Sequence, residues 1–408
     1  MKKKVVSLTL CIALAATMIT GCGNTQAAGS AAPAEEATAE ETATEETTEE
    51  ATAEASGDTI NIGVVAPLTG GYALFGESGK NSVELAVKQL NEAGGVLGKQ
   101  INIVEYVDDK GDSTEAVNAY NRLVSQDISA VVGTFSSSCT IPMAERAQEE
   151  GMLLITPSAT NAKVTLVGDH IFRACFIDPI QGPMMAKFAY DEGMKKAAII
   201  YAKDDDYSNG LYETISEAWS GFDGAELVYT GECTSKDADF TAQVSQVVAS
   251  GADVLFYPFM LDTVPLVVQQ AREAGFEGMI VGGDGWDGSE TSGIESYFNN
   301  TYYTNHYAPE DPAEKVQAYV AAYKEAYGED TLTSIGACYY DALMMVAQAI
   351  ETAGSAETED IVKAMSGMSF EGVTGSFTLD ENGDPKKPIT FVEFVDGVPT
   401  WKANVEAE

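Results

Sequence analysis

The stretch that decides the fold, Val131–Thr160, reads VVGTFSSSCTIPMAERAQEEGMLLITPSAT. Two short apolar runs in and beside it, Ala130–Gly133 and Met152–Thr156, predict β-strands. Between them, Pro142 near the start and Gly151 at the end predict a helix. A strand, a polar loop, a helix, a second strand and a second polar loop in this order are typical of a parallel α/β sheet.

Small hydroxyl residues follow both predicted strands: Ser136, Ser137, Ser138 and Thr140 after the first, and Ser158 and Thr160 after the second. Ligands of parallel sheets bind beyond such strand ends, where loops and helix N-termini meet. A helix N-terminus offers unpaired N–H groups and roughly half a positive charge, which suits a carboxylate. Ordinary capping and turn chemistry explains the same residues, so both interpretations stay open on these residues alone.

The first 22 residues have the pattern of an export signal. Lys2–Lys4 form a basic start, and Val5–Thr20 is an apolar segment too short to span a membrane. The segment ends in ITGC at Cys22, which is similar to the lipobox of bacterial lipoproteins. We therefore expect export and a lipid anchor on Cys22 at the outer face of the cytoplasmic membrane. A plain secretory signal is the alternative.

Residues 23–57 consist mainly of Ala, Thr and Glu, with nine Glu between Glu35 and Glu54, and predict a disordered acidic tether. The whole chain has a net charge of −40. Without the three lysines of Lys2–Lys4 and these nine glutamates, the remaining net charge is −34. Such an acidic body argues against nucleic acid and against anionic membrane surfaces as partners.

Cysteine and histidine usage gives no support to a metal site. Four cysteines lie beyond the signal segment, at Cys139, Cys175, Cys233 and Cys338. They are widely spaced and form no C-x-x-C pattern, so we expect buried free thiols, with one or two disulfides as the alternative. Only His170 and His306 occur, and neither lies in a motif that would make it a catalytic base.

Three segments resemble functional motifs but depart from them. Gly94–Lys99 has misplaced glycines and no Ser/Thr for a phosphate loop, and Gly283–Gly288 carries two acids that would repel a pyrophosphate. Asp204–Gly210 lacks the ligand spacing of a calcium loop. With no nucleophile–base pair either, we expect no enzyme activity, no metal and no cofactor.

Beyond the opening stretch, strands and helices alternate, and the alternation restarts after Asp178-Pro179. This pattern predicts two lobes, 58–178 with 307–377 and 179–306 with 378–408, each a mostly parallel sheet flanked by helices, with a ligand cleft between them. Loops at the predicted strand ends of one lobe offer hydroxyl and N–H donors. Those of the other lobe offer Asp284 and aromatic residues, a combination that suits a zwitterion with an apolar side chain.

Several segments, in order, resemble one family: residues 60–101 (INIGVVAPLTGGYALFGESGKNSVELAVKQLNEAGGVLGKQI), SSSCTIPMAE, TPSATNAKVT, Phe172-Arg173, GGDGWDG and CYYDALMMVAQAIETAG. Nearly all of residues 58–400 resembles the substrate-binding proteins of branched-chain amino acid (leucine/isoleucine/valine) ABC transporters. The resemblance implies the two-lobed type I periplasmic-binding-protein fold, which closes around a free amino acid. It also implies a monomer that delivers its ligand to an ABC permease.

The resemblance assigns roles to individual positions. Ser137 and Thr160 match the groups that hold the ligand carboxylate, and the carbonyl of Ser158 and the carboxylate of Asp284 match those that hold the ammonium. The remaining matches concern the side chain of the ligand: Tyr207 as a covering aromatic, Phe75 as a pocket aromatic, and Met260 where an aromatic is common.

The sequence also departs from the family pattern. Lys110 and Ser136 stand where an early disulfide is common, so that disulfide is absent. Asp284 replaces a Glu, which requires closer lobe approach or a bridging water, and Trp286 beside it would narrow the pocket. The amino acid therefore stays open. A receptor for an amide, urea or aromatic acid, and a sensor instead of a transport component, are the alternatives.

Overall fold

A computed structural model describes residues 59–406. The predicted signal segment with Cys22 and the predicted tether at 23–57 lie outside the described residues. Within residues 59–406, no helix combines the length and the apolar character needed to cross a membrane.

Five parallel strands form the first sheet in the order β2-β1-β3-β4-β5. They are β1 (Thr59–Ala66), β2 (Gln100–Asp108), β3 (Ala130–Val132), β4 (Leu154–Thr156) and β5 (Ile171–Arg173). The first three connections contain α1 (Ala73–Glu92), α2 (Ser113–Val124) and α3 (Ser137–Glu150). The central strands β3 and β4 are completely buried, as expected for a parallel sheet covered on both faces.

Five further parallel strands begin the second sheet: β6 (Lys196–Ala202), β7 (Glu226–Cys233), β8 (Val254–Phe256), β9 (Met279–Gly282) and β10 (Thr301–Asn305). The accompanying helices are α4 (Asp178–Asp191), α5 (Asp206–Ser220), α6 (Thr241–Ser250) and α7 (Val264–Glu273). One buried cluster contains residues of α4 and α5, and another contains residues of α6 and α7, with strand residues in both clusters.

The chain then returns to the first sheet. It forms α8 (Glu314–Tyr327), α9 (Ser334–Ala353), α10 (Thr358–Met365) and a hairpin of β11 (Ser369–Gly372) and β12 (Gly375–Thr378). Helix α9 packs along α1, and its buried residues belong to the same core cluster as those of β1 and β3.

The last two strands, β13 (Ile389–Val395) and β14 (Val398–Val405), add antiparallel to β10 and complete a seven-stranded sheet in the order β14-β13-β10-β9-β8-β6-β7. The predicted α/β fold of two mostly parallel sheets flanked by helices is therefore confirmed. The chain passes between the two sheets three times. The first and third passages are tied together by the Arg173–Asp384 ion pair at 2.5 Å and by Lys387 Nζ donating to the carbonyl of Ala174 at 3.1 Å.

Two helices begin about one turn or more earlier than their sequence patterns predict. Helix α3 starts at Ser137 and not near Pro142, and ends at Gly151 as predicted. The sequence predicts a helix over Gly79–Asn91 and a loop over Gly70–Gly76. Helix α1 starts at Ala73, so Phe75 lies in the helix and not in a loop. Gly76 obscured this start, but a Cβ there would lie 2.2 Å from the carbonyl oxygen of Pro67, so the close approach of α1 to β1 requires glycine.

Candidate functional site

The N-terminus of α3 lacks a side-chain cap. Ser136 occupies the N-cap position, but no side chain accepts a hydrogen bond from the first turn of the helix. The first N–H groups of a helix have no partner within the helix, so these donors are available to an anion. The hydroxyl oxygen of Ser137 accepts a hydrogen bond from the N–H of Asn161 at 3.1 Å, which fixes the α3 start against the loop after β4.

The loop after β4 brings Ser158 and Thr160 to the same end of the first sheet. Ser158 Oγ donates to the carbonyl of Phe135 at 3.2 Å, and Ser158 is 5% exposed. Thr160 is fully buried, yet its hydroxyl has no hydrogen-bond partner. Its carbonyl accepts from the N–H of Asp178 at 2.9 Å, which connects this loop to the start of α4. The structure thus brings Ser137, Ser158 and Thr160 together.

Asp284 lies in a short 3₁₀ turn directly after β9 and is 3% exposed. One carboxylate oxygen accepts from Gln181 Nε2 at 2.8 Å, and the other from His306 Nε2 at 3.1 Å. Burial lowers the pKa of His306, which favours a neutral imidazole whose single N–H points at Asp284. The carboxylate of Asp284 is thus engaged by protein donors on both oxygens.

Tyr207 is the second residue of α5 and lies against the turn that carries Asp284. Its hydroxyl oxygen accepts from the N–H of Gly285 at 3.1 Å, and the side chain is 2% exposed. Burial raises the pKa of this phenol well above its ordinary value, so it stays a neutral donor and acceptor. Tyr207 and Asp284 therefore form one wall, on the second sheet.

The three apolar site candidates differ in position. Phe75 belongs to the core of the first sheet and lies with its ring centroid 5.5 Å from that of Phe135. Met260 is half-buried and packs against the core clusters of both sheets, as a side chain between them should. Trp286, predicted to narrow the pocket, is fully buried. It lies in the core of the second sheet, where its Nε1 donates to the carbonyl of Tyr257 at 2.9 Å.

Direct hydrogen bonds join the two sides of the site. Ser138 Oγ donates to the carboxylate of Asp205 at 2.9 Å and accepts from the N–H of Asp206 at 2.8 Å. Asn161 Nδ2 donates to the carbonyl of Asp206 at 2.7 Å. These contacts join the α3 start and the loop after β4 to the N-terminus of α5, so the described arrangement is a closed one.

Three residues of this site were missed from the sequence: Asp178, Gln181 and His306. The first two are one turn apart in the first turn of α4, and His306 follows β10 directly. In the sequence, Asp178 precedes a proline that starts a helix. The available signal was the spacing of Asp178 and Gln181, because polar residues three apart at a helix start face the same side of the helix.

The other segments that resemble functional motifs have structural explanations. In Gly283–Gly288, Asp284 and Asp287 accept hydrogen bonds from side-chain and backbone donors, and Asp287 accepts from the N–H of Ser334 at 2.6 Å. Within the part of the chain that the structure describes, no group of three or more His, Cys, Asp or Glu side chains is arranged to hold a metal. The four cysteines at 139, 175, 233 and 338 are buried free thiols, as expected.

Comparison with known proteins identifies the family. Residues 59–398 match the family model described as "Periplasmic binding protein", and the chain belongs to this family. It is 30% identical to the leucine-, isoleucine-, valine-, threonine- and alanine-binding protein of Pseudomonas aeruginosa, over 81% of this chain and 88% of that one. It is 31% identical to Leu/Ile/Val-binding protein homolog 3 of Brucella melitensis, over 81% and 89%.

Solved structures agree with the family assignment. The leucine-binding protein LivK of Thermotoga maritima superposes with a TM-score of 0.79 at 30% identity, covering 85% of this chain and 99% of that one. The branched-chain amino acid transporter substrate-binding protein LivJ of Streptococcus pneumoniae, in complex with isoleucine, gives 0.78 at 28% identity, covering 86% and 99%. A benzoate complex from Rhodopseudomonas palustris shares the fold at 20% identity, with a TM-score of 0.77. The fold is thus the type I periplasmic-binding-protein fold.

Proposed function

We propose that the protein is an exported receptor that captures a free amino acid, leucine, isoleucine or valine, and delivers it to an ABC permease. The observation that carries the proposal is the pairing of two chemistries across one closed site. The uncapped start of α3 and the loop after β4 supply donors for a carboxylate. Buried acids at the start of α4 and after β9 supply the negative charge that an ammonium requires.

Each predicted residue has a role in this proposal. Ser137 and Thr160 hold the ligand carboxylate with their hydroxyl and N–H groups, and the Ser158 carbonyl and Asp284 act on the ammonium. The residues around the ligand side chain are Tyr207, Phe75 and Met260. Trp286 supports the turn that carries Asp284 from within the core, because its ring packs on Gly282, where a Cβ would lie 2.0 Å from the indole.

Binding would work through the closure of two lobes. We assign residues 58–178 with 307–377 to one lobe and 179–306 with 378–408 to the other. A ligand that contacts both lobes favours the closed form by its extra interactions there, which shifts a pre-existing hinge equilibrium. The hydrogen bonds of Ser138 and Asn161 to the start of α5 belong to that closed form.

The sequence supports a proposal for the location and assembly of the receptor. We propose cleavage before Cys22, a lipid anchor on that residue, and a tether of residues 23–57 that keeps the receptor at the outer face of the cytoplasmic membrane. The protein acts as a monomer, without metal or cofactor and without enzyme activity. Its acidic character supports a partner other than nucleic acid.

Calorimetric titration of the full chain tests the proposal, after unfolding and refolding to remove carried-over ligand. Leucine, isoleucine, valine, phenylalanine, alanine, glutamate and acetamide form the panel. We expect binding at micromolar concentrations or below for an aliphatic amino acid, lost when its amino group is acetylated. Binding of acetamide or of an aromatic acid instead would keep the fold and overturn the substrate class, and no binding at all would favour a sensor of another ligand.

A further inference from the structure

Asp178, the first residue of α4, has a buried carboxyl group that lacks hydrogen-bond partners among the described residues. The residue is 1% exposed, and neither of its oxygens has a hydrogen-bond partner. The Thr160 hydroxyl lies near enough to lower the pKa of this carboxyl, but the pair does not meet hydrogen-bond geometry. A buried carboxyl without partners is strongly destabilising. Its presence therefore indicates that a donor outside the protein chain binds there.

Two further acceptors near Asp178 also lack partners. They are Thr160 Oγ1, in the residue whose carbonyl accepts from Asp178 N–H, and Gln181 Oε1, one turn further along α4. Asp178 lies between the loop after β4 and α5, because a Cβ added to Gly210 would be 3.2 Å from its Oδ2 and 2.5 Å from Asn161 Nδ2. Three buried acceptors, one of them acidic, match the three N–H donors of an ammonium group.

The carboxylate of Asp284, unlike the carboxyl group of Asp178, has hydrogen-bond partners within the protein. Its two oxygens already accept hydrogen bonds from Gln181 and His306. Gln181 Nε2 is held at the same time by Thr304 Oγ1 at 2.8 Å. This network holds the Gln181 amide with its nitrogen towards Asp284 and Thr304, which leaves the amide oxygen for another donor.

We propose that Asp178 forms the direct ion pair with the ammonium of the bound amino acid, with Thr160 Oγ1 and Gln181 Oε1 as the other two acceptors. The Thr160 hydroxyl can donate to the ligand carboxylate and accept from the ammonium at the same time. Asp284 then acts on the ammonium through Gln181, as a positioning residue. The inference rests on the proposed amino-acid function and adds a residue that discriminates amino acids from the corresponding hydroxy acids.

The charges around Asp178 agree with this role. Burial raises the pKa of Asp178 well above its ordinary value, and Asp284 and Asp205 raise it further, whereas Arg173 lowers it. The other titratable groups facing the cluster are the neutral phenol of Tyr207 and the imidazole of His306. A free site therefore favours the protonated carboxyl, and an arriving ammonium favours the ionised one. The proton of Asp178 would leave to solvent when the ligand binds.

The test compares L-leucine with L-2-hydroxy-4-methylpentanoate, in which a hydroxyl replaces the ammonium. Calorimetry of the full chain should show that Asp178→Asn weakens leucine binding by about 100-fold or more. The same substitution should change binding of the hydroxy acid by no more than about threefold, because that ligand makes no ion pair. Asp253→Asn is the matched control. Asp253 accepts from the N–H groups of Lys195 and Lys196, at the opposite end of the second sheet. Its substitution should leave the ratio of the affinities for leucine and for the hydroxy acid unchanged.

The outcomes separate this inference from the proposed function. If the unmodified protein binds no amino acid, the proposed function fails. If it binds leucine and Asp178→Asn binds leucine equally well, or loses both ligands to the same degree, only the role of Asp178 fails. Should Asp178→Asn not fold, calorimetry of the unmodified protein in buffers of different ionisation enthalpy decides. Proton release on leucine binding supports the inference, and leucine binding without proton release at every pH at which the protein is folded overturns it.

Discussion

The two sheets present very different groups to the site at the carboxyl ends of their strands, which we call the first edge and the second edge. At the edge of the first sheet, the start of α3 has no side-chain cap and the hydroxyl of Thr160 has no partner. At the edge of the second sheet, Asp284 accepts two hydrogen bonds and Tyr207 is bonded to the backbone of the facing turn. Leaving buried polar groups unpaired costs free energy, so we expect a ligand to make most of its polar bonds at the first edge. The polar groups of the second edge are already hydrogen-bonded to one another.

Asp284→Ala should have the largest effect on this contrast. The substitution removes the acceptor of two buried donors, on Gln181 and His306, and lets Gln181 turn away from the ligand. We expect leucine binding to weaken by about 3 kcal/mol, roughly 100-fold. Calorimetric titration measures the change, with Asp253→Ala as a control that should keep the original affinity. Unchanged affinity in Asp284→Ala would mean that the second edge acts through shape alone.

Much of the first edge was readable from the sequence because its determinants are local. The strands and helices around Ser137 and Ser158 follow from short apolar runs and from Gly151, which adopts a φ of 67° at the end of α3. The same local logic predicts no strand at β10, because its sequence TYYTN has no apolar alternation. Its burial comes from pairing with β9 and β13 on both sides, which no window of neighbouring residues reveals.

The second edge depends on contacts between distant parts of the chain. Gln181 and Asp284 are 103 residues apart and His306 belongs to yet another segment, so their network exists only after the sheet has formed. The sequence therefore predicts Asp284 as a partner of the ammonium but not its two protein partners, and it gives no sign that the indole of Trp286 belongs to a core cluster of the second sheet.

Gly210→Ala should separate the two edges physically. The new methyl group would approach Asn161 Nδ2 to about the 2.5 Å measured for an ideal Cβ, and Asn161 is held by its bond to the carbonyl of Asp206. Closing the site would then require strain of about 2 kcal/mol, which lowers the affinity for leucine roughly 30-fold by reducing the closed population. Small-angle scattering with saturating leucine, together with calorimetry, measures both effects.

Gly221→Ala is the control for that experiment, since Gly221 follows α5 with a φ of −83° and only one backbone atom, at 3.3 Å, near its added Cβ. It should bind leucine like the unmodified protein. Normal closure and affinity in Gly210→Ala would contradict the close approach of α5 to the loop after β4.

Ser138→Ala should produce a smaller change in the same direction. The hydroxyl of Ser138 bonds to both Asp205 and the N–H of Asp206, and its loss removes a connection made only between the two sides. We expect a loss of about 1 kcal/mol, or roughly fivefold in leucine affinity, mostly through faster dissociation. Stopped-flow kinetics measures this rate. Ser125→Ala removes a hydroxyl that bonds within one side, to the carbonyl of Arg122, and should change nothing.

The smallest expected effect concerns the stability of the ligand-free protein. Burial raises the pKa of Asp178, so the folded state holds its proton more tightly than the unfolded chain does. Stability is therefore highest below the ordinary aspartate pKa and falls as the pH rises through the raised value. Asp178→Asn removes that fall. At neutral pH the ligand-free variant should be more stable by about 1 kcal/mol, or about 2 °C in melting temperature, measured by thermal unfolding across pH.

With leucine present, the unmodified protein should be more stable than Asp178→Asn. A ligand that binds only the folded state raises stability more when it binds more tightly, and the variant binds leucine weakly. At acidic pH, where the carboxyl is protonated in both states, the melting temperatures of the two ligand-free proteins should converge. Equal melting temperatures at every pH would show that Asp178 carries no unpaired charge in the free protein. The open edge would then consist of the α3 start and Thr160 alone, with no acid of its own, and Asp284 would again be the residue that pairs with the ammonium.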